Sequence, residues 1–297
     1  MIQSMLCQFD ADTAAAAAHL AELSLHEDLQ QAGDLTSQAT IPEQLSAAVR
    51  VVVRQQGVIA GLGVLPLVFR LLPGSVRSEL LLRDGDEVCA GSVAAEVHGP
   101  VRTLLTGERT VLNFLTHLSG IATRTAEFVR AVRGTSAQIL DTRKTLPGYR
   151  LLHKYAVRCG GGVNHRFGLY DGMLIKDNHL AARGSSSCAG AVKAARDFLR
   201  ERRLPVPVEI EVDTLEQFRD ALTERPELVL LDNMTCDQLR EAVALRALLA
   251  PDTRLEASGG VNLQTVHAIA QTGVDRISVG SLTHSSPALD IAFDWPW

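Results

Sequence analysis

Short apolar segments alternate with amphipathic ones along the second half of the chain. The apolar segments have the length of β-strands, and stretches with helical spacing fit between most of them. Because parallel strands need a long crossover, this alternation predicts a parallel sheet built from βα units. Strands are predicted at residues 138–140, 173–175, 206–212, 228–231, 254–257 and 276–279, with a short one near 161–164, and helices at 187–202, 215–223, 236–249 and 263–272.

The first 110 residues follow a mixed pattern instead. Val49, Val51 and Val53 share one face of a predicted strand, since side chains alternate along a strand. Thr13 is the predicted N-cap of a helix that ends at residue 29. An α+β layer is therefore expected here. Its other predicted elements are strands at 47–54, 76–82 and 93–97, a turn at 83–86 and an apolar helix around 61–72.

Nearly every predicted strand of the second half ends in polar residues. In a (β/α) barrel such ends meet at one mouth, where the active site lies. We therefore predict a TIM-like α/β barrel, incomplete and of about seven strands, over residues 111–285. An N-terminal α+β sandwich domain is predicted over 1–110, packed with the tail at 286–297. The polar strand ends are Asp141, Thr142, Arg143, Lys144, Lys176, Glu209, Glu211, Asp232, Asn233, Ser258, Gly259, Gly260, Gly280 and Ser281.

The charge of the chain is unevenly distributed. The formal net charge is -5, but residues 141–183 hold eight Lys or Arg against three Asp, so this segment carries +5 and the remainder -10. A solvated basic face would account for such a segment. A pocket for a small, multiply charged anion would account for it equally well. The predicted barrel mouth favours the pocket, because much of this basic charge lies at the strand ends.

The predicted mouth combines cations with carboxylates. Several positive side chains suit a substrate with more than one carboxylate or phosphate. Two carboxylates beside them suit Mg²⁺, which prefers oxygen ligands. The late Gly-rich turns are typical of phosphate sites. Alternatively, the cations form ion pairs with the rim acids, and the histidine only donates structural hydrogen bonds. The residues concerned are Arg143, Lys144, His165, Arg166, Lys176, Glu211 and Asp232.

Other features exclude several classes of protein. Five dispersed cysteines without a CxxC pair argue against structural zinc and disulfides, and favour a reducing cytoplasm. Aromatic residues make up only 4%, which speaks against a base-stacking nucleic-acid surface. The N-terminus has Asp10 and Asp12 before an Ala-rich run and no basic region, a pattern that does not predict a secretory signal. The apolar stretch at 58–69 is too short to cross a bilayer.

Long motifs give the chain a close family resemblance. The matching segments are Glu27-Asp28 with GDLT from residue 33, GVIAG from 57, GERTVLNFLTHLSGIAT from 107, DTRKTLPGYR from 141, KYAVRCGGGVNHRFGL from 154, LIKDNH from 174, then EIEV, LLDN, EASGGV and GVDRISVGSLTHS, which ends at 285. In these motifs the chain resembles quinolinate phosphoribosyltransferase, the carboxylating nicotinate-nucleotide pyrophosphorylase. The resemblance extends from about residue 25 to 290.

The resemblance implies one reaction and its residues. Quinolinate would attack phosphoribosyl pyrophosphate, giving nicotinate mononucleotide, pyrophosphate and carbon dioxide with Mg²⁺ assistance. By resemblance, quinolinate is bound by Arg109, Thr142, Arg143, Lys144, His165, Arg166 and Lys176. Phosphoribosyl pyrophosphate is bound by Lys144, Lys176, Glu211, Asp232, Ser258, Gly259, Gly260, Gly280, Ser281 and His284. Lys144, Lys176, Glu211 and Asp232 are the implied catalytic residues, and Glu211 and Asp232 hold Mg²⁺ directly or through water.

The resemblance also implies a homodimer in which Arg109 completes the site of the neighbouring subunit. Nucleic acid and membrane are not expected partners. Three other functions stay open: a phosphoribosyltransferase for nicotinate or another substrate on the same scaffold, a non-catalytic anion-binding protein, and a nucleic-acid binder that uses the basic segment. More positive charge than a monoacid needs argues against nicotinate. Intact carboxylates beside the lysines argue against a purely binding protein.

Overall fold

A computed structural model describes residues 7–297 and divides the chain into two units, each described here by itself. Unit 1 holds the described residues up to Ala126, Lys144–Gly162 and Ser281–Trp297; unit 2 holds Glu127–Arg143 and Val163–Gly280. The elements are α1 (Ala11–Leu29), α2 (Leu35–Thr40), β1 (Ser46–Val53), β2 (Gly57–Val58), α3 (Val64–Arg70), β3 (Arg77–Leu80), β4 (Glu87–Val88), β5 (Val93–Pro100), α4 (Val101–Ala131), β6 (Gln138–Leu140), α5 (Arg150–Cys159), β7 (Met173–Ile175), α6 (Asp177–Ala182), α7 (Cys188–Arg202), β8 (Val208–Val212), α8 (Leu215–Leu222), β9 (Leu228–Asp232), α9 (Cys236–Leu249), β10 (Arg254–Ser258), α10 (Val266–Ala270), β11 (Arg276–Ser278), α11 (Ser281–His284) and β12 (Ile291–Asp294).

The antiparallel sheet of unit 1 has the strand order β12-β1-β5-β3. Val49, Val51 and Val53 of β1 are all fully buried, which confirms their predicted shared face. β12, from the C-terminal tail, pairs with β1 in the register Val51↔Phe293. The tail therefore supplies an edge strand to the sheet that the N-terminal segment forms.

The start of α1 differs from the sequence prediction. Asp10, rather than Thr13, is the N-cap, and its carboxylate Oδ1 accepts a hydrogen bond of 2.8 Å from the Thr13 backbone amide. Thr13 is only 3% exposed. The prediction was wrong because both residues are good caps, and only the packing of Thr13 inside the first turn distinguishes them.

The sheet of unit 2 is parallel throughout and has the order β6-β11-β10-β9-β8-β7. The first strand pairs with the last in the register Ile277↔Ile139, whereas no strand pairing joins β6 to β7 among the described residues, so the barrel is incomplete, as predicted. A single bridge joins Leu140 to Val163, in the segment where a short strand was predicted. The described strands thus form an α/β barrel of six strands and one bridge, which confirms the predicted fold class.

Several predicted boundaries shift by a few residues. The helix predicted at 61–72 spans Val64–Arg70, because Gly61 adopts a φ of 97° outside the helical region. The helix predicted at 263–272 is reduced to Val266–Ala270, after a turn organised by the side chain of Asn262. The division into two units cuts the chain elsewhere than at residues 110 and 285. Those domain limits stay a prediction, and residues 1–6 of the predicted first domain lie outside the described residues.

Among residues 7–297, no helix combines the length and the apolar composition that a membrane crossing requires.

Candidate functional site

The strand ends of unit 2 bring most of the predicted site residues to one edge of the barrel. The register pairs Ser258 with Asp232, and Glu211 with Leu230. Since Leu230 and Asp232 are two residues apart, Glu211, Asp232 and Ser258 point to the same face of the sheet. The predicted residues that belong to unit 2 are Thr142, Arg143, His165, Arg166, Lys176, Glu211, Asp232, Ser258, Gly259, Gly260 and Gly280.

Two arginines form the cationic part of this edge. Burial lowers the pKa of Arg166, and the positive charge of Arg143 lowers it further, against the opposing effect of Glu209 and Asp171. The Arg166 Nη1 donates to the carbonyl oxygen of Gly172 at 2.8 Å. The Arg143 Nε is buried and has no hydrogen-bond partner among the described residues. Two neighbouring guanidinium groups with an unused donor create a site that favours an anion.

Lys176 and Glu211 form an ion pair across the ends of β7 and β8. The lysine side chain is 43% exposed and the glutamate side chain only 14%. Lys176 also serves as the N-cap residue of α6, where its backbone amide donates to His179 Nδ1 at 3.0 Å. The ion pair matches the alternative in which the carboxylate neutralises a lysine, in the absence of any bound anion.

The turn after β10 depends on a close approach between two strand ends. Asn233 donates its backbone amide to the carbonyl oxygen of Ser258 at 2.9 Å and its Nδ2 to Asp232 Oδ2 at 2.7 Å. Gly259 has a φ of 92°, and a Cβ placed there would lie 2.1 Å from Asn233 Oδ1. Only glycine fits this position without displacing Asn233.

His165 lies at the centre of a buried polar cluster. Asp141, fully buried, accepts from the His165 backbone amide at 2.9 Å. His165 Nε2 lies 3.1 Å from Glu209 Oε2 and 3.3 Å from Glu256 Oε1, while Nδ1 accepts from the Arg166 backbone amide at 2.7 Å. Both ring nitrogens therefore have partners within unit 2.

The cluster has a high affinity for a proton. Burial opposes protonation of His165, whereas the hydrogen bonds and charges of Glu209 and Glu256 favour it and raise the pKa of the imidazole above its ordinary value. Burial and the charge of Glu256 likewise raise the pKa of Glu209. Because the Arg166 amide donates to Nδ1 and so opposes a second proton there, the ring keeps a single proton at Nε2, next to the two carboxylates.

Sequence reasoning missed part of this cluster. The sequence places Glu209 only among the polar strand ends, and its pattern assigns no role to Glu256 or Arg276. Arg276 Nε lies 3.0 Å from Glu256 Oε2, and the two residues face each other in the register of β10 and β11. A usable signal existed: Glu256 lies between the apolar residues Leu255 and Ala257 in a predicted strand, and a buried carboxylate needs a partner.

Two sets of side chains have donor atoms that could hold a metal. His165, Glu209 and Glu256 have ligand atoms within 4.8 Å of one another, but this set is buried and Arg276 already balances it. Glu211 and Asp232 are only part-buried and offer oxygen atoms alone. Carboxylate oxygens are the donors that Mg²⁺ prefers, whereas an imidazole is not.

The remaining predicted residues belong to unit 1. Arg109 is exposed on α4, one residue after Glu108, whose Oε2 accepts from Trp295 Nε1 at 3.1 Å. The carbonyl oxygen of Lys144 accepts from Thr283 Oγ1 at 2.7 Å. Ser281 and His284 are the two ends of α11, and His284 Nδ1 lies 2.6 Å from Ser285 Oγ.

Comparison with known families covers both units. The model described as "Quinolinate phosphoribosyl transferase, C-terminal domain" matches residues 121–294, and the one for the N-terminal domain matches residues 34–119. The chain belongs to the quinolinate phosphoribosyltransferase family. The resemblance that the motifs carried is thereby confirmed.

Individual relatives of this quinolinate phosphoribosyltransferase family member are similar over nearly their whole length. The nicotinate-nucleotide pyrophosphorylase [carboxylating] of Mycobacterium leprae is 48% identical over 290 residues, which cover 97% of this chain and 98% of that protein. A probable enzyme of the same name from Bacillus subtilis is 46% identical, with 88% of each chain covered. The solved structure of nicotinate-nucleotide pyrophosphorylase from Francisella tularensis superposes with a TM-score of 0.87 at 36% identity, covering 95% of this chain and 96% of that one.

The close approach at Gly259 yields a stability prediction. Gly259→Ala should destabilise the protein by about 2 kcal/mol more than Gly260→Ala, because the new methyl group meets Asn233. Gly260 has a φ of 60° and nothing within 4 Å of an added Cβ, so it isolates the backbone penalty. Urea unfolding of both variants measures the difference. Equal destabilisation would mean that the approach of Asn233 does not constrain the turn.

Proposed function

We propose that this protein transfers the phosphoribosyl group of phosphoribosyl pyrophosphate to the ring nitrogen of quinolinate. The products are nicotinate mononucleotide, pyrophosphate and carbon dioxide, a step in the synthesis of NAD. The family membership and the names of relatives at 46–48% identity support this activity. The structural observation that carries it is the buried, unpartnered Nε of Arg143 beside Arg166.

The arginine pair suits the dicarboxylate part of the substrate. A guanidinium group can grip a carboxylate with two parallel hydrogen bonds and stays charged at any physiological pH. Two such groups held close together repel each other, and a bound dianion removes that repulsion. A monoacid such as nicotinate would leave part of the charge uncompensated, and a site discriminates strongly against a ligand that leaves its charges unpaired. Quinolinate is therefore the proposed acid.

The carboxylates at the strand ends suit the sugar. Bond breaking at the anomeric carbon develops positive charge on the ribose ring, and Glu211 and Asp232 stabilise such charge electrostatically. Lys176 then exchanges its partner Glu211 for the substrate's negative groups. The turn at Ser258, Gly259 and Gly260 offers backbone amides to phosphate oxygens. These roles, and those of Lys144, Gly280, Ser281 and His284, remain proposals.

Decarboxylation requires little further chemistry from the protein. Once the ring nitrogen is bonded to the ribose it carries a positive charge, which stabilises the carbanion that forms when carbon dioxide leaves. The carbanion then takes up one proton to give the product. The contribution of Arg143 and Arg166 is to hold the pyridine ring in position, since fixed orientation alone accelerates such steps.

Mg²⁺ is the proposed cofactor. Glu211 and Asp232 would hold it, either directly or through water, together with oxygen atoms of the pyrophosphate. When bound, the ion would neutralise the charge of the leaving pyrophosphate. Direct ligation by Glu211 would release Lys176 from its present ion pair, so the lysine would be available to the substrate at the same time.

A shared-site homodimer is the proposed assembly, and the cytoplasm the proposed location. Arg109 is exposed on α4, as a residue that reaches another subunit must be. A two-fold dimer would make such a contribution reciprocal. All five cysteines are free thiols, which fits a reducing compartment.

The arginine pair predicts substrate selectivity. Purified protein should release pyrophosphate and carbon dioxide from quinolinate with phosphoribosyl pyrophosphate, and little or no pyrophosphate with nicotinate. Arg143→Lys should lower kcat/KM for quinolinate by roughly 10- to 100-fold, because the charge stays but the planar fork is lost. Arg200→Lys, on the exposed face of α7, is the matched control. Comparable turnover of both acids would contradict the proposal.

The carboxylates predict a requirement for metal. Chelation of divalent cations should abolish activity, and added Mg²⁺ should restore it. Glu211→Ala and Asp232→Ala should each lower kcat by roughly 10²- to 10³-fold, the effect of removing one well-placed electrostatic group. Glu216→Ala, at an exposed position of α8, should change nothing. Undiminished rates in a chelator, or in both site variants, would refute the assignment.

The shared site can be tested by mixing inactive variants. Arg109→Ala and Lys144→Ala are each expected to be inactive, and an equal mixture is allowed to exchange subunits. If Arg109 acts in the neighbouring site, half the dimers are mixed and each has one intact site, so about a quarter of wild-type activity returns. If it acts within its own chain, no site is intact. Demonstrated exchange without recovery would exclude sharing.

A further inference from the structure

The most unusual group outside the proposed contacts is the pair of glutamates beneath His165. Glu209 is 4% exposed and Glu256 0%, and they lie on β8 and β10, on either side of β9. The register pairs Glu209 with Leu228 and Glu256 with Leu230, so both side chains project from the same face of the sheet. They converge on His165 Nε2, at 3.1 Å and 3.3 Å.

The buried glutamate pair lowers the stability of the folded state. Within the described chain, Glu209 Oε1 and both oxygens of Glu256 have no hydrogen-bond partner, although Arg276 Nε lies 3.0 Å from Glu256 Oε2. Buried carboxylate oxygens without hydrogen bonds destabilise the folded state, and apolar residues of similar size would usually be tolerated as well or better. Features that cost stability without a structural gain are expected near functional sites.

The two glutamates affect both ring nitrogens of His165, although they contact only Nε2. With Nε2 turned towards two carboxylates, the imidazole presents the lone pair of Nδ1 to the Arg166 backbone amide at 2.7 Å. Asp141 holds the backbone amide of His165 itself at 2.9 Å. The backbone at His165 and Arg166 is thus held by two hydrogen bonds, one to the Asp141 carboxylate and one to the imidazole.

We propose that Glu209 and Glu256 are positioning residues, which lock the His165 imidazole as the Nε2–H tautomer and thereby fix Arg166 in the quinolinate site. This proposal rests on the proposed function, because it concerns the same substrate site. Arg166 needs such support because Arg143 repels it, and a movable guanidinium would turn away before the dianion arrives. Neither glutamate is assigned a contact with the substrate.

The tautomer itself can be observed in the wild-type protein. Nitrogen-15 NMR of labelled histidine distinguishes a protonated Nε2 from a protonated Nδ1 directly, whereas heavy-atom distances give only the hydrogen-bond partners. His165→Asn identifies the signal. The proposal requires Nε2 protonated and Nδ1 unprotonated but hydrogen-bonded at neutral pH. A protonated Nδ1, or rapid exchange between tautomers, would overturn it without any measurement of activity.

Glu256→Gln and Glu209→Gln keep the shape of the side chains and remove the charge. Each should weaken the tautomer preference and raise the KM for quinolinate at least fivefold, with the KM for phosphoribosyl pyrophosphate within twofold of wild type. Glu216→Gln, exposed on α8, is the control and should change neither value. Equal increases in both KM values, with the tautomer unchanged, would make the glutamates merely structural.

A double-variant cycle shows whether the glutamate acts through the histidine. In a His165→Asn background, Glu256→Gln should change the KM for quinolinate less than twofold. An undiminished effect would overturn the proposal. If the protein lacked the proposed activity altogether, calorimetric binding of a pyridine dicarboxylate would replace KM, so failure of the function and failure of the positioning role would be distinguishable.

A metal ion is the competing occupant of this cluster, since the three residues could ligate one. Added Zn²⁺ should leave the melting temperature of the wild-type protein unchanged if the cluster is a positioning device. A zinc-dependent increase that disappears in Glu256→Gln would identify a metal centre and overturn the proposal.

Discussion

Like-charge repulsion between Arg143 and Arg166 is the constraint on which the organisation of the barrel edge depends. Two guanidinium groups that lie close together repel each other, so contacts with the rest of the chain have to hold them in place. The pKa of Arg166 is lowered by burial and by Arg143, and only Glu209 and Asp171 oppose this effect. Much of the polar structure behind the edge can be understood as the means of resisting this repulsion.

The register of the parallel sheet places the polar residues of the barrel edge at two levels along the strands. Glu211, Asp232 and Ser258 form the upper level at the strand ends, where solvent reaches them. Glu256 and Arg276 lie directly opposite each other, two residues below Ser258 along β10; Glu256 is fully buried and Arg276 is part-buried. Because side chains on one face recur every second residue, a strand that provides a ligand-binding group also provides the supporting group beneath it.

The fold was largely predictable because its signal is repeated. The strand Gln138–Leu140 and the helix Cys236–Leu249 have the limits that the apolar pattern indicated, since the period and the flanking polar residues both mark them. The N-cap of α1 was missed because Asp10 and Thr13 are equally good on local chemistry. The pairing of β11 with β6 was predictable only from the barrel interpretation, because no local feature of Arg276–Ser278 specifies its neighbour.

Only the residues at the strand ends were predictable from the sequence, whereas the buried residues beneath them were not. Arg143, Lys176, Glu211 and Asp232 lie at the ends of strands or within three residues after them, so the pattern that located the strands also located these residues. Glu256 was overlooked because a charged residue inside an apolar strand is visible in the sequence, but its partner at His165 is 91 positions away and has no local signature. A buried network of this kind depends on which strands become neighbours, and the strand order is a property of the folded sheet.

The ion pair between Lys176 and Glu211 gives the unliganded site a second property. A cation that already has a partner must lose it before it can bind an anion, so ligand binding at this position is an exchange of partners and contributes little net affinity. The arginine side differs, because the buried Nε of Arg143 has no partner among the described residues and would gain a bond outright. Discrimination between acids should therefore come mainly from the arginines. The lysine, half exposed and paired, is better suited to a group that changes its charge during the reaction.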